Sequence, residues 1–555
     1  MAVVWISLFF RLGSLPLLQP DEGRNAEIAR EMKDSGAWLS PSYNGITYLD
    51  KPAFYFKAVA LSLAMFGDSE TAARLPSALF GLALLALAYV FCRRTHGARC
   101  AILAVIIIAT MPLYLVNART VIFDIVLAFF VSAAIFAGYR AEECEGKSRR
   151  NWYFLGALAA GFATLVKGPV GFLIPGLVLF VFHRVEGRRG VWKRFFAPLN
   201  LLAFFGVTLP WFIGLSLQHP DFPRYGIIEE SFQRFTTVKF HRTQPFYFYA
   251  VIVAGMFLPW SFLLPEAGVA ALKNKWFKSP ADRLCLVWAV VVVVFFSFSK
   301  SKMPGYILSA TVACGILVAR FFEQALKNPD GKAVRIARRV VLVVVFLCFA
   351  GVITVVYLST RMELLARPLG ISVADANQFK QYVTVSIILL LIFAAFGLMA
   401  RYKGDAGLYF IYLTLFSLLV FNANFGILDV VFSAKSARKL AQQIPAFPPQ
   451  TEMAFLQCFP SGLPFYLNRT ATLITKDGGE LASNYILFHL KTGQAWPSNL
   501  VSVAEFDRWL ASRNHPVYLL ARESDRPKLD AIAAGQNIAI QQLTPPYIGV
   551  LLPAP

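Results

Sequence analysis

Apolar stretches recur from the N-terminus to about residue 432, and those after the first are long enough to cross a lipid bilayer. There are about thirteen of them, and the first is a short run at residues 2–10. The others lie at about residues 72–91, 101–116, 121–139, 152–166, 169–182, 196–217, 246–271, 284–298, 305–322, 340–358, 381–400 and 406–432. A spanning helix needs about 20 mainly apolar residues. The sequence therefore predicts an all-α polytopic membrane domain over residues 1–432.

The composition excludes most other classes of protein. Of the 555 residues, 57% are hydrophobic and only 15% are charged, which is incompatible with an ordinary soluble domain. The net charge of +21 does not indicate nucleic-acid binding, because that function needs basic residues on one face of a polar domain. Here the basic residues lie mainly in short loops between apolar stretches, and the expected surroundings are membrane lipids.

Those basic loops predict the orientation in the membrane. Every second loop is rich in Lys and Arg, near residues 93–99, 140–150, 184–194, 273–283, 327–339 and 401–403. Cytoplasmic loops keep such residues. With thirteen spans, the N-terminus is expected on the cytoplasmic side of the membrane, and the C-terminus on the opposite side.

The N-terminal run and the cysteines add smaller constraints. A helix over residues 2–10 rises only about 14 Å, against about 30 Å of hydrocarbon, so we expect a misplaced start or a truncated helix. The run leads directly into a charged segment, which does not resemble a cleavable signal peptide. The seven cysteines show neither paired nor metal-ligand spacing, so no disulfide or zinc framework is predicted.

Two long loops and the tail are predicted to be extracytoplasmic. The loops cover residues 15–71 and 218–245, and the tail covers residues 433–555. The first loop contains an amphipathic pattern at residues 22–35 and an apolar, aromatic one at 52–66, both compatible with helices in the membrane interface. Strand-like stretches at 470–475, 516–520 and 547–552, with a helix-like stretch at 503–512, predict a small α/β domain in the tail.

Ionisable residues that loops do not easily explain all fall on the outer side. They are Asp21, Glu22, Arg24, Asp50, Lys51, Arg119, Asp124, Lys167, Lys300 and Lys302. Several cations on one face are suited to binding a lipid phosphate. For Lys51, the alternative is that its side chain merely reaches the membrane interface.

Structural roles compete with functional ones at the acidic positions. Asp21 and Glu22 follow Pro20 where a helix begins, and acidic residues there are favoured by capping and by the helix dipole. Asp124 lies inside an apolar helix, where a charge costs about 2.5 to 3.5 kcal/mol. It therefore needs a polar cavity or a partner, which is either Arg119 or a basic residue of another helix.

The second loop offers weaker candidates. Glu229, Glu230, Arg234, His241 and Arg242 precede an aromatic run at residues 246–249, which is typical of an interfacial aromatic belt. The phosphate-loop, dinucleotide, zinc-protease and serine-hydrolase motifs are absent from the sequence. A nucleotide-driven transporter is therefore not indicated.

Several stretches resemble the ArnT-like aminoarabinose transferases, within the wider protein O-mannosyltransferase-like superfamily. Residues 19–32 read QPDEGRNAEIAREM, residues 35–38 read SGAW and residues 48–52 read YLDKP. Further matches are RLPS at 74–77, KG at 167–168, ESFQRF at 230–235 with HR at 241–242, and SKMPGYIL at 301–308. The resemblance covers essentially the whole membrane region, and its first loop is the most specific part.

The resemblance implies a fold of the GT-C type, in which spanning and interfacial helices enclose an outward-facing cavity. It further implies a sugar donor carried on undecaprenyl phosphate, with 4-amino-4-deoxy-L-arabinose as the sugar and a lipid A phosphate as acceptor. Such lipid A modification is associated with polymyxin resistance.

By position, the resemblance makes Asp21 and Asp124 the expected catalytic carboxylates. Lys51, Arg24, Tyr48 and Lys302 are the expected ligands of the donor phosphate. Further expected cavity or acceptor residues are Glu22, Asp50, Glu230, Arg234, His241, Arg242 and Tyr306.

The sequence departs from the family pattern at three positions. Asp50 replaces a Glu, Ala53 replaces a Pro and Ser231 replaces a His. The family can hold a divalent metal near Asp50 and Glu230, and loss of the imidazole weakens that expectation. No cofactor is therefore required by the sequence.

Two alternative functions stay open at this point. One is a related transferase with another sugar and a protein or glycan acceptor. The other is a transporter that moves a lipid-linked sugar without cleaving it, although such proteins often show two repeated halves, and no repeat is visible here.

Overall fold

The computed structural model describes residues 2–188, 190–233, 243–273, 279–423, 425–491, 495–534 and 538–554. Up to residue 218 the helices are α1 (Ala2–Leu8), α2 (Asp21–Ser35), α3 (Phe54–Phe66), α4 (Glu70–His96), α5 (Ala98–Thr110), α6 (Pro112–Ala118), α7 (Asp124–Glu142), α8 (Gly146–Lys167), α9 (Val170–Val185), α10 (Val191–Phe195) and α11 (Pro198–Gln218). A π-helical stretch follows at Arg224–Gln233.

The helices that continue the membrane region are α12 (Phe248–Met256), α13 (Leu264–Lys273), α14 (Pro280–Phe298), α15 (Ala310–Lys327), α16 (Lys332–Ser359), α17 (Glu363–Leu369), α18 (Val373–Asn377), α19 (Lys380–Lys403), α20 (Ala406–Ala423) and α21 (Phe425–Ala434). Short helices in the tail are α22 (Arg438–Gln443), α23 (Leu463–Leu467), α24 (Asn484–Lys491), α25 (Phe506–Ala511) and α26 (Arg526–Ala534).

All thirteen apolar windows contain helix. Within the described ranges, seven helices are long and apolar enough to cross a membrane, or nine when each of two bent helix pairs counts as one span. The other windows correspond to α1, α8, α9 and α15, which are shorter or more polar. The prediction of a helical, multi-pass membrane protein is confirmed.

The two bends follow from proline. Helix α5 ends before Pro112, and α6 continues at an angle of 70°. Helix α12 ends before Pro259, and the helical stretch from Trp260 onward turns by 110°. A proline lacks the amide N–H that would continue the main-chain hydrogen bonds of the helix, and it disfavours the helical conformation at the residue before it.

The chain forms two compact units. The helical unit comprises residues 1–12, 74–214 and 231–431. The mixed unit comprises residues 13–73, 215–230 and 432–555, so that it combines chain from the two long loops with the tail. Each unit is described below by itself.

Aromatic side chains join the helices of the helical unit. Phe91 of α4 stacks on Phe136 of α7 with ring centroids 3.9 Å apart, and Phe136 meets Trp288 of α14 edge-on at 5.5 Å. Trp260 is fully buried, and its Nε1 donates to the Thr110 hydroxyl at 3.0 Å. These contacts fix several helices around one apolar core.

The mixed unit contains a six-stranded sheet. Its strands are β3 (Glu452–Leu456), β4 (Thr472–Thr475), β5 (Leu500–Ser502), β6 (Val517–Arg522), β7 (Gln541–Gln542) and β8 (Tyr547–Leu552), after a small hairpin of β1 (Ser42–Tyr43) and β2 (Ile46–Thr47). The order is β5-β4-β3-β6-β8-β7, with β3 parallel to β4 and β6, β4 parallel to β5, and β8 antiparallel to β6 and β7. The mixture of strands and short helices predicted in the tail is therefore present.

Most of the charged side chains in the middle of α2 are buried. Glu27, Arg30 and Glu31 are at most 6% exposed. Arg30 donates two hydrogen bonds to Glu27, at 2.7 and 2.6 Å. Glu31 accepts from the main-chain amides of Asn44 at 2.5 Å and Gly45 at 2.9 Å. The helix was predicted correctly. The binding of its charged side chains to other parts of the mixed unit could not be predicted from the helical spacing of apolar and polar residues.

Candidate active site

The start of α2 presents two carboxylates that differ in environment. Glu22 is 1% exposed, and its Oε2 accepts the main-chain amide of Leu18 at 3.0 Å, so it stabilises the turn that leads into the helix. The Asp21 side chain is 36% exposed and pairs with Arg24 Nη2 at 2.5 Å. Asp21 is therefore the carboxylate that remains accessible to a ligand.

Arg24 lies one turn further along α2. Its Nη1 donates to the carbonyl of Ala482 at 3.2 Å, and its guanidinium carbon lies 6.0 Å from the centroid of the Tyr48 ring. Burial by itself lowers the pKa of Arg24, but the nearby carboxylates of Asp21 and Asp50 raise it, and the pKa stays above its ordinary value. The guanidinium is thus a permanent cation.

Tyr48 supplies an aromatic wall to this cluster. It is 2% exposed and packs edge-on against Tyr43 at 6.2 Å and Phe56 at 6.0 Å. Burial raises the pKa of Tyr48, and the charge of Arg24 only partly opposes the rise. The phenol therefore stays neutral.

Asp50 and Lys51 occupy the turn before α3. Asp50 accepts from the Tyr225 hydroxyl at 2.7 Å and from the main-chain amides of Asn484 at 3.0 Å and Tyr485 at 2.6 Å. Lys51 Nζ donates to the Asp50 carbonyl at 2.7 Å and forms an ion pair with Glu230. Both side chains of that ion pair are nearly buried, at 12% and 10% exposure.

These partners do not fit a metal site at Asp50 and Glu230. The Asp50 oxygens already accept three hydrogen bonds, and Glu230 is paired with an ammonium group. Over the part of the chain that the structure describes, no cluster of three or more His, Cys, Asp or Glu side chains has metal-binding geometry. Arg234, His241 and Arg242, together with the side chain of Ser231, lie outside the described residues.

The helical unit holds a second charged cluster. Asp124 begins α7 and pairs through Oδ1 with Lys167 Nζ at 2.5 Å, and both side chains are about nine-tenths buried. Lys167 Nζ also lies 4.3 Å from the centroid of the Tyr306 ring. Gly305 approaches so closely that a Cβ there would be 3.0 Å from Asp124 Cγ. An aromatic face and a carboxylate thus share one buried cation.

One of the two expected partners of Asp124 was wrong. Arg119 instead donates to the carbonyls of Ser7 at 3.1 Å and Phe10 at 2.6 Å. The basic residue of another helix is Lys167, at the end of α8. The signal for it in the sequence was a lone Lys before Gly168, between two apolar windows.

Lys302 is directed toward carbonyl oxygens. Its Nζ donates to Ser299 at 2.7 Å and to Gln244 at 3.0 Å within the helical unit. Burial lowers the pKa of Lys302, and the charge of Lys300 adds to that effect. The side chain is 7% exposed.

Sequence reasoning missed the contribution of the tail to this site. The Asp50 carboxylate and the Arg24 guanidinium both bind main-chain groups of residues 482–485, more than 400 positions away. Main-chain donors and acceptors carry no signature in the sequence, so only the fold reveals these contacts.

Comparisons with known proteins agree with this picture. The model of the dolichyl-phosphate-mannose-protein mannosyltransferase family matches residues 50–213. An undecaprenyl phosphate-alpha-4-amino-4-deoxy-L-arabinose arabinosyl transferase of Edwardsiella ictaluri is 32% identical over 329 residues, which is 58% of this chain and 58% of that protein. A protein of the same name from Shewanella sediminis is 31% identical over 57% of this chain and 58% of its own length. The chain thus matches just under three fifths of the length of these relatives.

Solved structures extend the likeness to the whole chain. The crystal structure of ArnT from Cupriavidus metallidurans bound to undecaprenyl phosphate has a TM-score of 0.82 and 26% identity, covering 99% of this chain and 96% of that one. The same protein in the apo state gives a TM-score of 0.79 at 25% identity, with the same coverage. The fold class expected from the sequence is confirmed.

Proposed function

We propose that this ArnT-like protein, which has the GT-C fold, is a glycosyltransferase that moves a sugar from undecaprenyl phosphate to a phosphate of lipid A. The sugar proposed is 4-amino-4-deoxy-L-arabinose. The observation that carries the proposal is a group of contacts in the mixed unit: Arg24 pairs with the accessible carboxylate of Asp21, and the Lys51 ammonium donates to the carbonyl of Asp50.

Two buried cations suit a lipid-linked phosphate. A guanidinium can bind two phosphate oxygens at once, and an ammonium adds a mobile point charge. Lys51 and Arg24 would hold the donor phosphate, with the Tyr48 ring beside it. When the glycosidic bond breaks, the electron pair and negative charge stay on the polyprenyl phosphate, where these cations stabilise them.

The proposed acceptor defines the role of Asp21. A lipid A phosphate is already largely ionised near neutral pH, since its second pKa is about 6, so it attacks the sugar without a general base. Asp21 would then orient the donor through the amine of the sugar. A hydroxyl acceptor would instead make Asp21 the base that removes its proton.

The remaining candidates take supporting roles. Asp124 is proposed as a second acidic group, with its charge balanced by Lys167 near Tyr306. Lys302 and Glu230 are proposed to influence ligand binding electrostatically. Glu22 is proposed only to stabilise the turn before α2.

The same proposal includes the location. Residues 1–432 are proposed to form the domain in the inner membrane of a bacterium. Its loops 15–71 and 218–245 and the tail 433–555 are proposed to lie on the periplasmic side. The alternation of basic loops supports a cytoplasmic N-terminus.

A transfer assay with two variants tests the function. Asp21→Asn and Lys51→Ala should each lower transfer from radiolabelled undecaprenyl-phosphate aminoarabinose to lipid A by at least about a hundredfold, because each removes a group placed at the reacting phosphate or sugar. Asp507→Asn and Lys491→Ala change exposed residues of the mixed unit and should stay near wild type.

Three outcomes contradict the proposal. Near-normal turnover by Asp21→Asn or Lys51→Ala rejects their roles. Release of undecaprenyl phosphate only with a protein or glycan acceptor rejects lipid A. Movement of intact labelled lipid across a vesicle bilayer, without release of undecaprenyl phosphate, indicates transport instead.

A further inference from the structure

Helix α24 begins on a carboxylate from a distant part of the chain. The amides of Asn484 and Tyr485 both donate to Asp50, at 3.0 and 2.6 Å, and the amide of Ile486 donates to Ser483 Oγ at 3.3 Å. The first three amides of the helix are thereby satisfied. Asp50 therefore acts as a cap for a helix that starts 434 residues later.

The same carboxylate has little freedom to move. Asp50 is 5% exposed, and the Tyr225 hydroxyl donates to its Oδ1 at 2.7 Å. The carbonyl of Asp50 in turn accepts from Lys51 Nζ at 2.7 Å. Fixing the Asp50 side chain thus fixes the main-chain oxygen that orients the Lys51 ammonium.

The segment also contacts the second cation. The carbonyl of Ala482 accepts from Arg24 Nη1 at 3.2 Å. Ala482 has φ of +50°, a left-handed conformation that is unfavourable for a residue with a Cβ. Such backbone conformations cluster at functional sites, where the surrounding structure holds them in place.

We propose that residues 482–485 are a positioning element for the donor phosphate, through which the tail sets the places of Lys51 and Arg24. This rests on the proposed function, because the cations are those assigned to the undecaprenyl phosphate. The segment touches no substrate in this role. It acts through Asp50 on Lys51 and directly on Arg24.

Asn484 allows one main-chain contact to be removed alone. It is the first residue of α24, a position where proline is well tolerated. Asn484→Pro deletes the amide that binds Asp50, whereas Asn484→Ala removes the side chain and keeps the amide. The pair therefore isolates a single hydrogen bond.

The readouts are the KM for donor, kcat and the rise in melting temperature on adding undecaprenyl phosphate. Asn484→Pro should raise KM about tenfold, since a hydrogen bond to a charged group is lost, and should reduce the stabilisation by undecaprenyl phosphate. Its kcat at saturating donor should fall as well, because the same two cations stabilise the charge that develops on the leaving phosphate. Asn484→Ala should match wild type in all three measurements.

Asp50→Asn gives a test that does not depend on proline. By charge alone, loss of a carboxylate beside two cations would strengthen binding of a phosphate. A positioning role predicts the opposite sign, because an amide side chain cannot accept from all three present donors. Weaker binding of undecaprenyl phosphate by Asp50→Asn supports the proposal, and unchanged or tighter binding overturns it.

The outcomes separate this inference from the function. If Asn484→Pro equals Asn484→Ala in KM and in stabilisation by undecaprenyl phosphate, the positioning role is wrong even though transfer is normal. If wild type transfers no sugar, the proposed function fails. The binding measurement with undecaprenyl phosphate still decides the inference in that case.

Discussion

Asp124 and Lys167 show how a single charged residue is accommodated among apolar helices. Each is about nine-tenths buried, and the two oppositely charged atoms lie 2.5 Å apart. An isolated charge in such surroundings is costly, whereas a hydrogen-bonded pair is tolerated. The pair therefore carries a structural role whatever else Asp124 does.

Lys167→Met should destabilise the protein by about 3 to 5 kcal/mol, because it leaves a buried carboxylate without its cation. The double variant Asp124→Asn with Lys167→Met should be more stable than Lys167→Met alone. Thermal unfolding in detergent measures both.

The single variant Asp124→Asn completes the cycle, and destabilisations that simply add in the double variant would show that the two residues do not interact. Loss of transfer in a double variant that has regained stability would assign Asp124 or Lys167 to the reaction as well.

At the scale of the element, the hairpin of α8 and α9 depends on one glycine. A Cβ at Gly171 would lie 2.2 Å from the main-chain carbon of Ala163 and 2.3 Å from the amide nitrogen of Thr164. The two helices thus meet backbone to backbone. Lys167 lies at the end of α8 in this hairpin, so its place depends on that contact.

Gly171→Ala should lower the melting temperature, with a destabilisation of about 1 to 3 kcal/mol from overpacking. Gly176 lies in the same helix with open space around its Cβ position. Gly176→Ala should be neutral or slightly stabilising, because alanine favours helix by about 1 kcal/mol. Equal melting temperatures for the two variants would contradict the close contact.

At the scale of the whole molecule, the alternation of basic loops predicts which ends of helices share a side. The connection between α16 and α19 is predicted outside, and the connection between α19 and α20 inside. Ala374 is exposed in the first connection, and Lys403, the last residue of α19, is exposed next to the second.

In a cysteine-free background, Ala374→Cys should react with a membrane-impermeant maleimide on cells with a permeabilised outer membrane. Lys403→Cys should react only after the inner membrane is opened. Labelling of both positions from the same side would contradict the predicted orientation. Labelling of Lys403→Cys but not Ala374→Cys before the inner membrane is opened would show that the orientation is the reverse.

Much of this molecule follows from local sequence. Apolar runs of sufficient length predict where helices lie, since a helix satisfies its own backbone in lipid, and all thirteen windows are helical. The charged motif at residues 19–32 likewise indicated α2 and the acidic residues at its start. The proline bends at Pro112 and Pro259 also have local causes, although their angles required the structure.

Only the tertiary structure decided which groups meet. Asp124 pairs with Lys167 and not with Arg119, because the fold brings the end of α8 to the start of α7. Asp50 binds amides 434 and 435 positions away. Hydrogen bonds and ion pairs between distant segments depend on how helices and strands pack, and periodicity within a window carries no information about that.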